Sequence, residues 1–124
     1  MPIIECKKVL IVEADDITRA TLSTFIKGKH PEWQVIEAAD GYRAMEIADQ
    51  ENIDFFTIDY YLPSFSGLNL IIELKRMHTP GKFVLLTTYL PDHLKAEIEV
   101  MAVEHVDKPV TEKMMDAVLR YFEA

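Results

Sequence analysis

Side chains capable of chemistry gather in four short stretches of the chain. "EADD" (13–16) crowds Glu13, Asp15 and Asp16 around Ala14. Asp59 ends the apolar run "DFFTID" (54–59), Thr87 and Thr88 end "KFVLLTT" (82–88), and Lys108 with Pro109 follows "EHVD" (104–107). Neighbouring carboxylates repel one another unless a positive group sits among them. Clustered carboxylate oxygens are a hard site suited to Mg2+. A carboxylate such as Asp59 can act as a nucleophile and carry a phosphoryl group. Phosphoryl transfer also needs charge neutralised on the equatorial oxygens, which an ammonium and a hydroxyl such as Lys108 and Thr87 can supply. Taken singly, each residue is ordinary: a strand-end Asp is commonly a cap or loop residue, Lys-Pro commonly a turn, and a strand-end Thr commonly β-propensity. The question is whether a fold brings them together.

Apolar runs and helical patterns alternate along the chain, and each chemical stretch follows an apolar run. "KVLIVE" (8–13), "WQVIEA" (33–38), "DFFTID", "KFVLLTT" and "EHVD" read as strands, the first nearly continuous and β-branched as in a strand buried on both faces. "ITRATLSTFIKG" (17–28), "DGYRAMEIADQ" (40–50), "LNLIIELKRM" (68–77), "PDHLKAEIEVMA" (91–102) and "TEKMMDAVLRYF" (111–122) read as helices. Asp40, Ser66 and Thr111 sit at cap positions, Pro91 falls in a first turn, and Gly28 suits a helix end. Such alternation with short connections means a parallel sheet covered by helices on both faces. The expected fold is α/β, a flavodoxin-like (βα)5 doubly wound sheet in the order 2-1-3-4-5, with residues 1–124 forming one domain. In that order strands 1, 3, 4 and 5 are neighbours. Ligands in open α/β sheets bind beyond the carboxyl ends of the strands, so acids, hydroxyl and ammonium converge on one small area.

Composition narrows the function classes. The formal charge is −8 and the pI about 4.9, the opposite of a sequence-independent nucleic-acid surface. Cys6 is the one cysteine, so no intramolecular disulfide forms, which suits a reducing cytoplasm. The start "MPIIECKK" lacks the apolar core of a secretory leader, and no apolar run reaches membrane-spanning length. The loop "EADDIT" is acidic and without Gly, so it repels a bare phosphate and argues against a nucleotide-binding enzyme.

With the elements placed, the chain resembles the receiver domain of two-component response regulators over nearly its whole length. The resemblance rests on "VLIVEADDITR", "DFFTIDYYLPSFSG", "FVLLTT" and "HVDKPV". The second supplies an Asp with a Pro four residues on and a Gly eight on, and the fourth a Lys-Pro after a short strand. The resemblance implies that Asp59 is the phospho-acceptor and that Glu13, Asp59 and the backbone carbonyl of Tyr61 hold Mg2+. It implies that Thr87 contacts the phosphoryl oxygens and shifts on activation, that Lys108 is the site lysine, and that the bond to Pro109 is cis, whose penalty before proline is small. It also implies a cytoplasmic signalling switch, an enzyme only in its own phosphotransfer and autodephosphorylation. A sensor histidine kinase or phosphotransfer protein would supply the phosphoryl group. An effector protein or output domain would read the change, and a homodimer formed on activation is among the expected assemblies.

Three positions depart from or sharpen that pattern. Arg19, six residues after Glu13, sets the register of the first motif and puts Ala14 on the second acidic position, where the family has a metal-binding Asp. A methyl cannot ligate Mg2+. Three readings stay open: Asp15 bends into the gap; Glu13 holds the metal weakly through its water; or the chain is a pseudo-receiver, an interaction module that is not phosphorylated. His105, three before Lys108, stands where the family often has a Tyr or Phe switch residue, and as a His could add pH sensitivity. Tyr61 and Tyr89, each two residues beyond a site residue, are expected to shield an acyl phosphate from water.

Overall fold

The structure, a computed structural model, describes residues 6–77 and 79–124; residues 1–5, where the absence of a leader is read, lie outside the described residues. Ten elements alternate strictly: β1 (Lys8–Val12), α1 (Asp16–Lys29), β2 (Gln34–Ala38), α2 (Gly41–Gln50), β3 (Phe55–Asp59), α3 (Gly67–Arg76), β4 (Lys82–Thr87), α4 (Asp92–Val100), β5 (Glu104–Asp107) and α5 (Glu112–Glu123). All strand pairs are parallel and the sheet order is β2-β1-β3-β4-β5, as the sequence predicts.

The apolar strands work as the alternation of side chains requires. Leu10, Val12, Phe56, Ile58, Phe83 and Leu85 point to one face, under α2, α3 and α4. Val9, Ile11, Phe55, Val84 and Leu86 point to the other, under α1 and α5. Each helix is started by a local signal. Asp40, Ser66 and Thr111 cap α2, α3 and α5, each accepting from the backbone N–H three residues on. α4 has no such bond: Pro91 is its N-cap, and Ile98 is its single buried residue.

Two boundary expectations are corrected. α1 does not stop at Gly28 but continues to Lys29, where His30 closes it through its N–H to the Ile26 carbonyl at 2.8 Å. The His30 ring stacks on Trp33 at 3.7 Å, a contact that offsets the lack of a glycine cap. β4 ends at Thr87, which leaves Thr88 exposed in the following loop. No helix among the described residues is long and apolar enough to cross a membrane.

Candidate functional site

The carboxyl ends of β1, β3, β4 and β5 bring the sequence-predicted residues together. Asp59 is the last residue of β3, beside Leu86 of β4, and Thr87 and Asp107 end the next pair in register. Glu13 follows β1 directly and its N–H donates to the Ala38 carbonyl of β2 at 3.0 Å. Glu13, Asp59 and Thr87 are all buried. Lys108 Nζ lies 2.5 Å from Glu13 Oε1 and 3.2 Å from Asp59 Oδ1, so one ammonium bridges two carboxylates from distant parts of the chain. The Lys108–Pro109 peptide is cis.

Backbone packing holds the loop after Asp59. The Gly67 N–H donates to the Tyr60 carbonyl at 2.8 Å, and a Cβ on Gly67 would stand 2.1 Å from the Asp59 carbonyl oxygen. Only glycine permits this approach, which gives the Gly eight residues after Asp59 a physical reason. Tyr60 N–H in turn bonds the Leu86 carbonyl at 2.8 Å, tying the loop to β4.

The electrostatics follow from burial. Burial first, then the neighbouring Glu13 carboxylate, push the Asp59 carboxyl up to about 7, with Lys108 opposing. Burial works to lower the Lys108 ammonium, but Glu13 and Asp59 outweigh it and hold the group above its ordinary value. The site is one cation short of neutral. Glu13 Oε2 and Asp59 Oδ1 are buried and make no hydrogen bond, the latter meeting Lys108 only as an ion pair. Buried unpartnered carboxylate oxygens carry a desolvation cost that a hard cation would relieve. The buried pair of Glu13 and Asp59, with oxygens left unpartnered, is therefore of the chemistry that suits a hard cation such as Mg2+.

The departures fall out differently. Asp15 does not turn toward Asp59: its Oδ2 accepts from the Thr18 N–H at 2.8 Å and from Thr18 Oγ1 at 2.6 Å, capping α1. Those bonds hold its carboxyl below the ordinary range. The signal was local, an Asp three residues before Thr at a helix start. Among the described residues no group of three or more His, Cys, Asp or Glu side chains is arranged to hold a metal. His105 is exposed on the edge strand β5. Tyr61 and Tyr89 are 53% and 69% exposed and meet where Tyr61 Oη donates to the Tyr89 carbonyl at 3.4 Å. Thr87 Oγ1 donates to the same carbonyl at 2.9 Å. Arg19, a register mark in the sequence, makes a contact that residue types do not reveal: Nη1 donates to the Glu13 carbonyl at 2.8 Å.

Comparison with known proteins decides the family. The model of the response regulator receiver domain matches residues 9–120. The chain belongs to the response regulator receiver family. Its relatives include the transcriptional regulatory protein YdfI of Bacillus subtilis, 35% identical over 119 residues, covering 91% of this chain and 55% of that protein. Sporulation initiation phosphotransferase F of Bacillus subtilis is 26% identical over 117 residues, covering 93% of each. This receiver domain spans about half of YdfI and 28% of a second relative, the cyclic di-GMP phosphodiesterase of Thermotoga maritima. Among solved structures, a CheY-like receiver domain from Methanospirillum hungatei superposes with a TM-score of 0.85 at 16% identity, covering 96% of this chain and 95% of that one. TrrA of Thermotoga maritima, in complex with Mg(2+)-BeF, superposes at 0.80 with 22% identity, covering 94% and 98%.

Proposed function

We propose that this receiver domain is a phosphorylation-dependent signalling switch, accepting a phosphoryl group on Asp59 from a histidine kinase or phosphotransfer protein with Mg2+. The observation that carries the reading is the buried Asp59, joined through Lys108 to Glu13 with carboxylate oxygens left unpartnered. A bound Mg2+ would neutralise charge on the transferring phosphoryl oxygens. A carboxylate oxygen of Asp59 forms the new P–O bond as the donor's P–N bond breaks, and the donor imidazole takes the electron pair. Lys108 stays positive and pairs with the phosphoryl oxygens. An open groove of about 480 Å³ lies beside Lys108, lined in part by Ile17, Thr18, Thr88 and Pro109.

The switch starts at Thr87. Turning its hydroxyl to the phosphoryl group releases the Tyr89 carbonyl, the shared acceptor of Thr87 and Tyr61. Tyr89 leads into α4, the helix with one buried residue and no side-chain cap bond. A weakly anchored element of this kind shifts for little energy; driving a two-state equilibrium from 1:99 to 99:1 takes about 5.5 kcal/mol of differential interaction. The altered surface changes binding of an effector protein or output domain, in a cytoplasmic phosphorelay, with a homodimer as one form of the active state.

A second reading, the pseudo-receiver, is favoured by Ala14 together with the capping role of Asp15. One experiment separates the two. The protein is incubated with acetyl phosphate and Mg2+ and its intact mass recorded. Gain of one phosphoryl group, lost in Asp59→Asn, is the expected result. No gain at saturating Mg2+ refutes the switch and leaves the interaction module.

A further inference from the structure

Glu13 is the first residue beyond the β1 ladder, and Ala14 beside it offers no second carboxylate. Any metal held from this strand depends on the aim of one side chain. That side chain is buried, with Oε1 on Lys108 and Oε2 free. Its peptide is gripped from two sides. The N–H bonds the Ala38 carbonyl at 3.0 Å, and the carbonyl accepts from Arg19 Nη1 at 2.8 Å. The same guanidinium lies 2.6 Å from Asp16 Oδ1 through Nη2 and 3.4 Å from Glu37 Oε1 of β2 through Nε. Its side chain is 18% exposed, whereas that of Asp16 is 88% exposed, so the Asp16 arm is screened by water and the carbonyl arm carries the constraint. Arg19 is itself rooted in the first turn of α1, its N–H on the Asp15 carbonyl at 2.9 Å.

We propose that Arg19 is a positioning residue for the metal and acceptor site: it clamps the Glu13 peptide against β2 and so fixes the aim of the one β1 carboxylate. The proposal rests on the function proposed above. The planar guanidinium spans a carbonyl and two carboxylates at fixed angles, which a lysine ammonium cannot. Groups that orient a ligand in this way matter to metal affinity nearly as much as the ligand.

The test is an Mg2+ titration of the wild type, Arg19→Met, Arg19→Lys and Glu37→Gln, followed by amide NMR shifts at Asp59 and Lys108. Hydrogen exchange at the Glu13 amide is measured on the same metal-free proteins. Arg19→Met is expected to weaken Mg2+ about tenfold and to speed exchange at Glu13 while β3 and β4 amides stay protected. Arg19→Lys is expected to fall between, and it carries the test should the Met variant not fold. Glu37→Gln is expected to bind Mg2+ within about twofold of the wild type, since it leaves the carbonyl arm intact and alters only a part-exposed ion pair. A wild type that binds Mg2+ alongside an equal Arg19→Met, with unchanged Glu13 exchange, overturns the clamp alone. So does a Glu37→Gln loss as large as that of Arg19→Met, which assigns the effect to surface charge. A wild type that takes up no Mg2+ overturns the clamp and the proposed function together.

Discussion

Asp59→Asn should make this protein more stable, and by an amount that depends on pH. In the metal-free site Glu13 and Asp59 share one ammonium, so full ionisation leaves a buried excess negative charge. Burial first, and then that neighbouring Glu13 charge, raise the Asp59 carboxyl from 3.8 to about 7. Between those two values the folded state binds more protons than the unfolded state, so stability falls as pH rises across the window and levels off above it. Each pKa unit is worth about 1.4 kcal/mol, which sets a ceiling of roughly 4 kcal/mol for the penalty at pH 8. Asparagine keeps the shape, removes the charge and leaves Lys108 neutralised by Glu13 alone. It gives up the attraction between Lys108 and the Asp59 carboxylate, so a gain of about 2–4 kcal/mol is expected. For a chain of 124 residues this corresponds to a rise in Tm on the order of 8–15 °C.

The assay is urea denaturation of both proteins in EDTA at several pH values from 4.5 to 8.5, in steps of about half a unit across the pKa window. The difference between the two midpoints should be small at the acid end, grow through neutrality and hold constant above pH 8. Subtracting one curve from the other removes the titrations that both proteins share. An Asn variant no more stable than the wild type at pH 8, or a gain that does not depend on pH, refutes the view that Asp59 is held against its own charge.

Three further perturbations test separate parts of the account. Ala14→Asp restores a carboxylate beside Glu13 and should tighten Mg2+ by about tenfold while lowering stability in EDTA; isothermal titration and urea midpoints read the two effects, and unchanged Mg2+ affinity rules out Ala14 as the limit. Thr57 is buried in β3 with its hydroxyl unpartnered, so Thr57→Val should stabilise by about 1 kcal/mol, and a loss of that size in thermal melts contradicts the orphaned hydroxyl. Replacing Tyr61 and Tyr89, which meet at the Tyr89 carbonyl, with Ala should shorten the lifetime of the phosphorylated form several-fold if they shield it; an unchanged decay of radiolabelled protein removes the shielding role.

The parts of this molecule legible in its sequence are those that local chemistry or a global rule controls. Asp40, Ser66 and Thr111 announce their helices because a cap needs only its own side chain and the next turn. The meeting of Lys108 with Glu13, 95 residues apart, follows from the strand order and the rule that ligands bind at carboxyl ends. What stayed hidden depends on competition between partners. Asp15 reads in the sequence as a stand-in metal ligand, but in the structure the N–H and hydroxyl of Thr18 occupy its Oδ2. Gly28 reads as a helix end by residue type, but α1 runs one residue further, to Lys29, and closes through the His30 N–H on the Ile26 carbonyl. Arg19 could be placed in register, yet a guanidinium reaching a backbone carbonyl leaves no mark in residue types, since every residue has a carbonyl. These hidden features bear on a single residue. With Ala14 silent and Asp15 occupied, β1 offers the site Glu13 alone, gripped at its peptide by Arg19 and Ala38 and at its carboxylate by Lys108. A site built from one fewer carboxylate has less negative charge to hold a cation, and it has correspondingly less of that charge to suppress when the cation is absent. Weak metal affinity and a less destabilised metal-free protein are therefore two consequences of the same alanine, and Ala14→Asp should move both together.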